Sequence, residues 1–158
     1  MRAAALTILA GAACLAALGL FYLTVSAMAQ TPNAVATPGR AATLQVATPA
    51  SPADVFLDVY LKSYRPPPKG AVEAVVSIGT SGGDIEVGRI SIFPAEAFTV
   101  TSPRDQRAYR FDASTALEKI ASGAANLTVK VTLVSEDGKT APPGAELAVD
   151  KIAFSPRP

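Results

Sequence analysis

An all-β fold is what this sequence predicts: an antiparallel β-sandwich or barrel of about seven strands with one short α-helix. Three observations carry that expectation. Apolar and polar residues alternate at period two over much of the chain beyond Asp54, which puts successive side chains on opposite faces of a strand. Clusters of Gly, Pro and Asp break these runs at short intervals, where a chain must turn. Helical spacing occurs in one short stretch.

Taken in order, Val55, Leu57, Val59 and Leu61 face one way while Phe56, Asp58, Tyr60 and Lys62 face the other. The segment from Tyr64 to Gly70, with Pro66-Pro67-Pro68, ends that strand because proline donates no ladder hydrogen bond. Val72, Ala74, Val76 and Ile78 define a second strand, and Gly79-Thr80-Ser81-Gly82-Gly83-Asp84 turns it into a third, Ile85 to Phe93, stopped by Pro94. Shorter strands follow at Ala97 to Thr101 and Ala108 to Phe111, around the polar loop Ser102 to Arg107. Thr115 and Glu118 fit a helix capping box, with Leu117, Ile120, Ala121 and Ala124 on one face and Gly123 placed to end the helix. Leu127, Val129, Val131 and Leu133 then interleave with Thr128, Lys130 and Thr132 as the clearest half-buried strand. Asp137-Gly138 turns the chain, and Leu147 to Phe154 closes the domain. Its apolar residues change phase between Val149 and Ile152, which predicts a bulge.

Ahead of this domain, residues 1–29 read as a signal peptide or an N-terminal membrane anchor. Ala3 to Ala29 carries no charge behind Arg2, and Ala27 and Ala29 supply a small-x-small cleavage pattern. The same stretch is long enough to span a bilayer of about 20 apolar residues. With no further side-chain charge before Arg40, the positive-inside bias sends the remainder across the membrane, to a periplasmic or extracellular location. Cys14 falls within the apolar run and reads as membrane-buried filler. Residues 30–52, rich in Ala, Pro and Thr, read as a disordered linker, which leaves 53–158 as the folded domain.

Composition then narrows the chemistry. The chain has no histidine and one cysteine, which removes most transition-metal ligands, nucleophiles and neutral-pH proton shuttles and argues against an enzyme, a cofactor or a metal. Loss of residues 1–29 takes away only Arg2 and leaves 13 basic against 13 acidic side chains, a balance that argues against nucleic acid. No disulfide is available to the exported domain, so apolar packing has to hold it.

The remaining acid–base candidates are Asp84 with Glu86, and Glu136 with Asp137. Both pairs lie at glycine-bearing turns, where solvation or turn formation competes with glycosidase-like work, and the chain has no Trp to line a sugar cleft. Gly79 to Gly83 is glycine-rich but lacks a following Gly-Lys-Ser/Thr, so it reads as a hairpin loop. Arg104, Arg107 and Arg110 read as solvated loop charges with partner contact as the alternative. Asn126-Leu127-Thr128 matches an N-glycosylation acceptor inside a strand. Tyr60, Tyr64, Tyr109 and Phe93 either form an apolar contact surface or pack in the core.

The order of several short motifs resembles the C-terminal domain of the tyrosinase and polyphenol oxidase family of type-3 copper proteins. Phe56-Leu57-Asp58-Val59-Tyr60 is similar to that domain's opening strand, and Gly88-Arg89-Ile90-Ser91-Ile92-Phe93-Pro94 to its middle segment without the histidine. Arg110-Phe111-Asp112, Leu117-Glu118-Lys119-Ile120, Val129-Lys130-Val131-Thr132-Leu133-Val134, Gly138 and Val149-Asp150-Lys151-Ile152 follow in the family's order. The resemblance implies a non-catalytic β module that packs over a dicopper domain and shields its entrance. Since this sequence has no histidine, the copper oxidase would be a separate polypeptide, and the family's blocking side chain maps onto no residue here. The expected partner is therefore a separate tyrosinase-like copper oxidase or another envelope protein, with the membrane added if residues 1–29 remain. Two other readings stay open: a membrane-tethered structural or ligand-binding sandwich, and an enzyme using Asp84 or Glu86.

Overall fold

The computed structural model describes residues 34–157 apart from 54, 93–94 and 121–123; the expected signal or anchor segment, with Cys14, lies outside the described residues. Among the described residues, nine strands form two antiparallel sheets: β1 (Ala34–Ala36), β2 (Ala42–Ala47), β3 (Val55–Arg65), β4 (Val72–Thr80), β5 (Gly83–Ser91), β6 (Phe98–Thr99), β7 (Arg107–Asp112), β8 (Asn126–Ser135) and β9 (Glu146–Pro156). A 3-10 turn (Pro103–Asp105) precedes β7 and the helix α1 (Ser114–Glu118) follows it. One sheet runs β1-β9-β3-β6 with β7 also paired to β3, and the other runs β2-β8-β4-β5. Apart from the β4–β5 hairpin and the short β6, consecutive strands cross between the sheets, which rolls the chain into a jelly-roll sandwich.

Period-two patterning explains the core. Leu57, Val59, Leu61, Val76, Ile78, Val129, Val131, Leu133, Leu147 and Val149 are essentially inaccessible, and they come from the inward faces of β3, β4, β8 and β9. Each such side chain contributes about 1.5–3 kcal/mol on burial, which is how a sandwich without a disulfide holds.

All of the expected strands are present, with shifted ends. β3 continues through Tyr64, which is buried, to Arg65, so Pro66 is the stop. The bulge expected near the end of the chain is present as well. Tyr60 pairs with Lys151 but Leu61 pairs with Val149, so Asp150 is the extra residue that changes the phase. A second irregularity leaves Lys62 unopposed between Leu61 and Ser63.

Two expectations need correction. The segment read as a disordered linker contains β1 and β2, each paired in the sandwich, so the folded domain reaches back at least to Ala34. Ala42, Leu44 and Val46 do alternate inward, and Ala36 and Ala42 are buried, but these side chains are too small to register as strand formers by composition. Pro38 and Gly39 are turn residues rather than linker spacers. Thr37 and Arg40 exchange both backbone hydrogen bonds at 2.9 Å around them, and Gly39 adopts φ +78°. The helix is the other correction. It begins at Ser114, so Thr115 lies inside it, and no side chain caps the preceding Ala113. The entry is held instead by Asp112, whose Oδ1 accepts from the Ser114 amide at 3.0 Å, and by Ser114 Oγ, which accepts from the Val55 amide at 3.1 Å. Gly123 lies outside the described residues.

The two open sides of the sandwich are closed differently. On the β5/β7 side, the ring of Phe111 lies directly over Gly88, where an added Cβ would meet it at 2.3 Å. On the β2/β9 side no such plug exists among the described residues, and a groove remains.

Candidate functional site

The groove encloses about 600 Å³ and is walled by Gln45–Ser51 on one side and Ile152–Pro156 on the other, with Ala53 and Val55 at its floor and rim. β2 supplies the first wall because Val46 points inward while the chain after Ala47 leaves the sheet through Pro49. β9 supplies the second, beyond its bulge, where Ile152 and Phe154 are half-buried against the core. None of the described lining residues carries a charge. The volume falls within the range of about 300–1,000 Å³ common for small-molecule sites, and the lining chemistry suits an apolar or uncharged group.

A strand edge runs along this groove. β9 pairs with β3 over its whole length, but on its other edge β1 reaches only Leu147, Ala148 and Val149. Among the described residues, the rest of β9 pairs with β3 alone.

The acid–base candidates are not assembled as a catalytic pair. Asp84 accepts twice from Lys130 Nζ, at 2.8 and 3.0 Å, while Glu86 is engaged by Arg89 at 2.9 and 3.0 Å, and Arg89 also reaches Glu73 at 3.3 Å. Each carboxylate is matched to its own cation on the exposed face of the second sheet. Asp137 forms the turn expected of it: it accepts from Ser135 Oγ and the Lys139 amide, and pairs with Lys139 Nζ at 2.7 Å, contacts that hold its carboxyl below the usual range, with the Lys139 side chain the main cause. Glu136 is exposed beside it. The Gly79–Gly83 segment is a two-residue hairpin around Ser81-Gly82, with Thr80 opposite Gly83.

The arginines do not form one cluster. β7 alternates, so Arg107 faces inward over the Phe98 ring at 4.0 Å while Arg110 faces outward, and Arg104 sits apart in the 3-10 turn. The aromatic residues separate as well. Tyr64 is buried beside Phe98, Tyr109 packs against the core, Tyr60 lies on the outer face beneath Lys151 at 4.3 Å, and Phe93 lies outside the described residues. Asn126 is exposed at the start of β8, and Thr128 Oγ1 accepts from Gln45 Nε2 at 2.9 Å. Among the described residues, no three His, Cys, Asp or Glu side chains gather to hold a metal.

Asp58 was not singled out by the sequence. It is 5% exposed although it points away from the core, because Arg110 covers it with two hydrogen bonds, at 2.7 and 3.2 Å, and Ser155 Oγ donates a third at 2.7 Å. The Arg110 guanidinium is the main reason its carboxyl titrates below the usual aspartate range. Asp58 thereby ties β7 and β9 to the central strand β3, which is a structural duty.

Fold and site together define a β-sandwich with a surface groove lined, among the described residues, by uncharged side chains. No protein-family model and no curated protein matches the sequence. Among solved structures, a Family 16 Carbohydrate Binding Module-2 aligns over 77% of this chain and 74% of that chain, at 13% identity and a TM-score of 0.31. A likeness at that level carries no inference about fold or ligand.

Proposed function

We propose that this chain is a non-catalytic, exported β module that docks on a separate protein through the groove between β2 and β9. The observation that supports this reading is the groove itself: an apolar concavity whose described lining residues carry no charge, in a molecule where Asp84 and Glu86 are each matched to a cation instead of to one another. The partner to test first is a type-3 copper oxidase, on the strength of the motif order shared with tyrosinase C-terminal domains. The test is co-purification from the native envelope with the full chain and with Ala53→Glu, which places a carboxylate at the exposed groove rim without touching the core. A dicopper oxidase retained by the parent and lost from the variant is the expected result. Equal retention by both, or retention by neither, refutes the reading.

A second reading, a tethered sandwich that binds a small apolar ligand, draws on the volume of the groove. It predicts that an apolar fluorescent probe binds the parent and not Ala53→Glu, while no protein is retained by either.

A further inference from the structure

We infer a second binding site at the other end of β3: a small cleft that takes one uncharged, hydroxyl-bearing ring, the chemistry of a single sugar unit. The cleft encloses about 320 Å³ where the last residues of β3 meet β6 and the first residue of β9. That volume lies at the lower end of the range of about 300–1,000 Å³ for small-molecule sites, which favours one ring over a chain of them. It shares no lining residue with the β2/β9 groove, so this inference stands or falls apart from the docking reading.

Three features select the ligand. Tyr64 lines the cleft and is 3% exposed, yet its hydroxyl makes no hydrogen bond to any described residue. A buried hydroxyl without a partner costs stability, so its presence calls for an occupant that accepts from it. Burial also raises its pKa, which keeps the proton on the oxygen and makes the group a donor. Beside it, Arg65 Nη2 donates to Glu146 Oε2 at 2.6 Å and Arg65 Nε donates to the Gly144 carbonyl at 3.3 Å, which leaves Arg65 Nη1 and Glu146 Oε1 without a partner among the described residues. One donor and one acceptor thus lie side by side at zero net charge. A ligand hydroxyl both donates and accepts and matches that pair, whereas a carboxylate would meet Glu146 and an ammonium would meet Arg65. Ala97 and Phe98 supply the apolar part of the wall, against which the C–H groups of a ring can pack. Phe98 is itself held between Tyr64, with ring centroids 6.1 Å apart, and the Arg107 guanidinium at 4.0 Å.

Glucose, glucuronate and glucosamine share one ring and differ in charge, which makes them the probes. Amide chemical shifts of the full chain are followed on titration with each, in mildly acidic buffer where the amine is charged, for the parent, Tyr64→Phe and Glu146→Gln. The expected result is a saturable response to glucose centred on residues 63–65, 97–99 and 146, with glucuronate and glucosamine weaker. Tyr64→Phe should weaken glucose roughly tenfold through loss of one hydrogen bond, while its urea midpoint stays the same or rises because an unpaired buried hydroxyl is removed. Glu146→Gln leaves the Arg65 charge unbalanced and should move the preference to glucuronate. The inference is overturned if the parent shows no localised response to glucose, if Tyr64→Phe binds it as tightly as the parent, or if either charged sugar binds the parent as well as glucose does. A fall in the urea midpoint of Tyr64→Phe overturns it too, since the hydroxyl would then be serving the fold.

Discussion

Replacing Asp58 with asparagine tests how the outer face of the first sheet is held. The side chain keeps its shape but loses its charge, so two hydrogen bonds from Arg110 and one from Ser155 become neutral, and one amide hydrogen is set against a donor. Bonds to charged groups contribute about 1.5–3 kcal/mol against about 0.5–1.5 for neutral ones, which gives roughly 3 kcal/mol for three. Arg110 is half in solvent, so water compensates part of this, and a loss of about 2 kcal/mol is expected at neutral pH. The pH dependence has a definite sign. The folded carboxyl titrates below its unfolded value of about 3.9, so its contribution is complete above that value and is lost as pH falls through the folded pKa. The gap between parent and Asp58→Asn should therefore be full at neutral pH and shrink as the medium is acidified below about pH 4. Urea unfolding across that range measures it. A gap that is absent at neutral pH, or that stays constant on acidification, refutes the assignment of Asp58 as the charged tie between β7, β3 and β9.

Three further outcomes are expected. Val46→Asp puts a carboxylate at a buried position of β2 and should destabilise the fold by at least about 3 kcal/mol by urea unfolding, whereas a linker residue would tolerate it. Gly88→Ala drives a methyl into the Phe111 ring and should cost about 1–3 kcal/mol, with part recovered in the Gly88→Ala/Phe111→Leu double variant measured the same way. Lys130→Ala removes an exposed partner of Asp84 and should change unfolding stability by less than about 1 kcal/mol, with the same far-ultraviolet spectrum.

How far the fold was legible depends on side-chain size and on where charges fall. Strands whose inward positions hold Leu, Val or Ile, such as β3, β4 and β8, announce themselves because a large apolar residue at every second place has no other economical arrangement. The change of phase between Val149 and Ile152 likewise located a real bulge at Asp150. β1 and β2 carry the same alternation in Ala36, Ala42, Leu44 and Val46, but alanine and a nearby Pro-Gly turn give the composition of a linker. Only the pairing with β8 and β9 reveals them as strands. The groove was hidden for the same reason, since half of it comes from that segment. One signal pointed to it: between Arg40 and Asp54 the sequence holds no charge at all, which is unusual for a solvated tether and natural for the wall of an apolar cleft. Asp58 escaped notice because its burial comes from Arg110, far away in sequence, and no local pattern encodes that.

The unequal closure of the two sides of the sandwich bears on whether the groove is a site or a fault. Where β5 meets β7, the chain uses a large ring and removes a side chain from Gly88 to admit it, so this architecture can be sealed. Where β2 meets β9, it places Ala47, Ala50 and Ala53 at the opening, and the described residues leave a groove there. A packing fault and a binding groove answer differently to being filled. Ala50→Leu adds apolar volume at an exposed rim position. In a fault, that volume recovers lost contacts, so stability rises and nothing else changes. In a groove that receives a partner's side chains, the added leucine occupies their place, and retention of the partner falls while the urea midpoint stays the same or rises. A variant that is stabilised and still retains the partner as well as the parent does would show that the opening is only unfilled space.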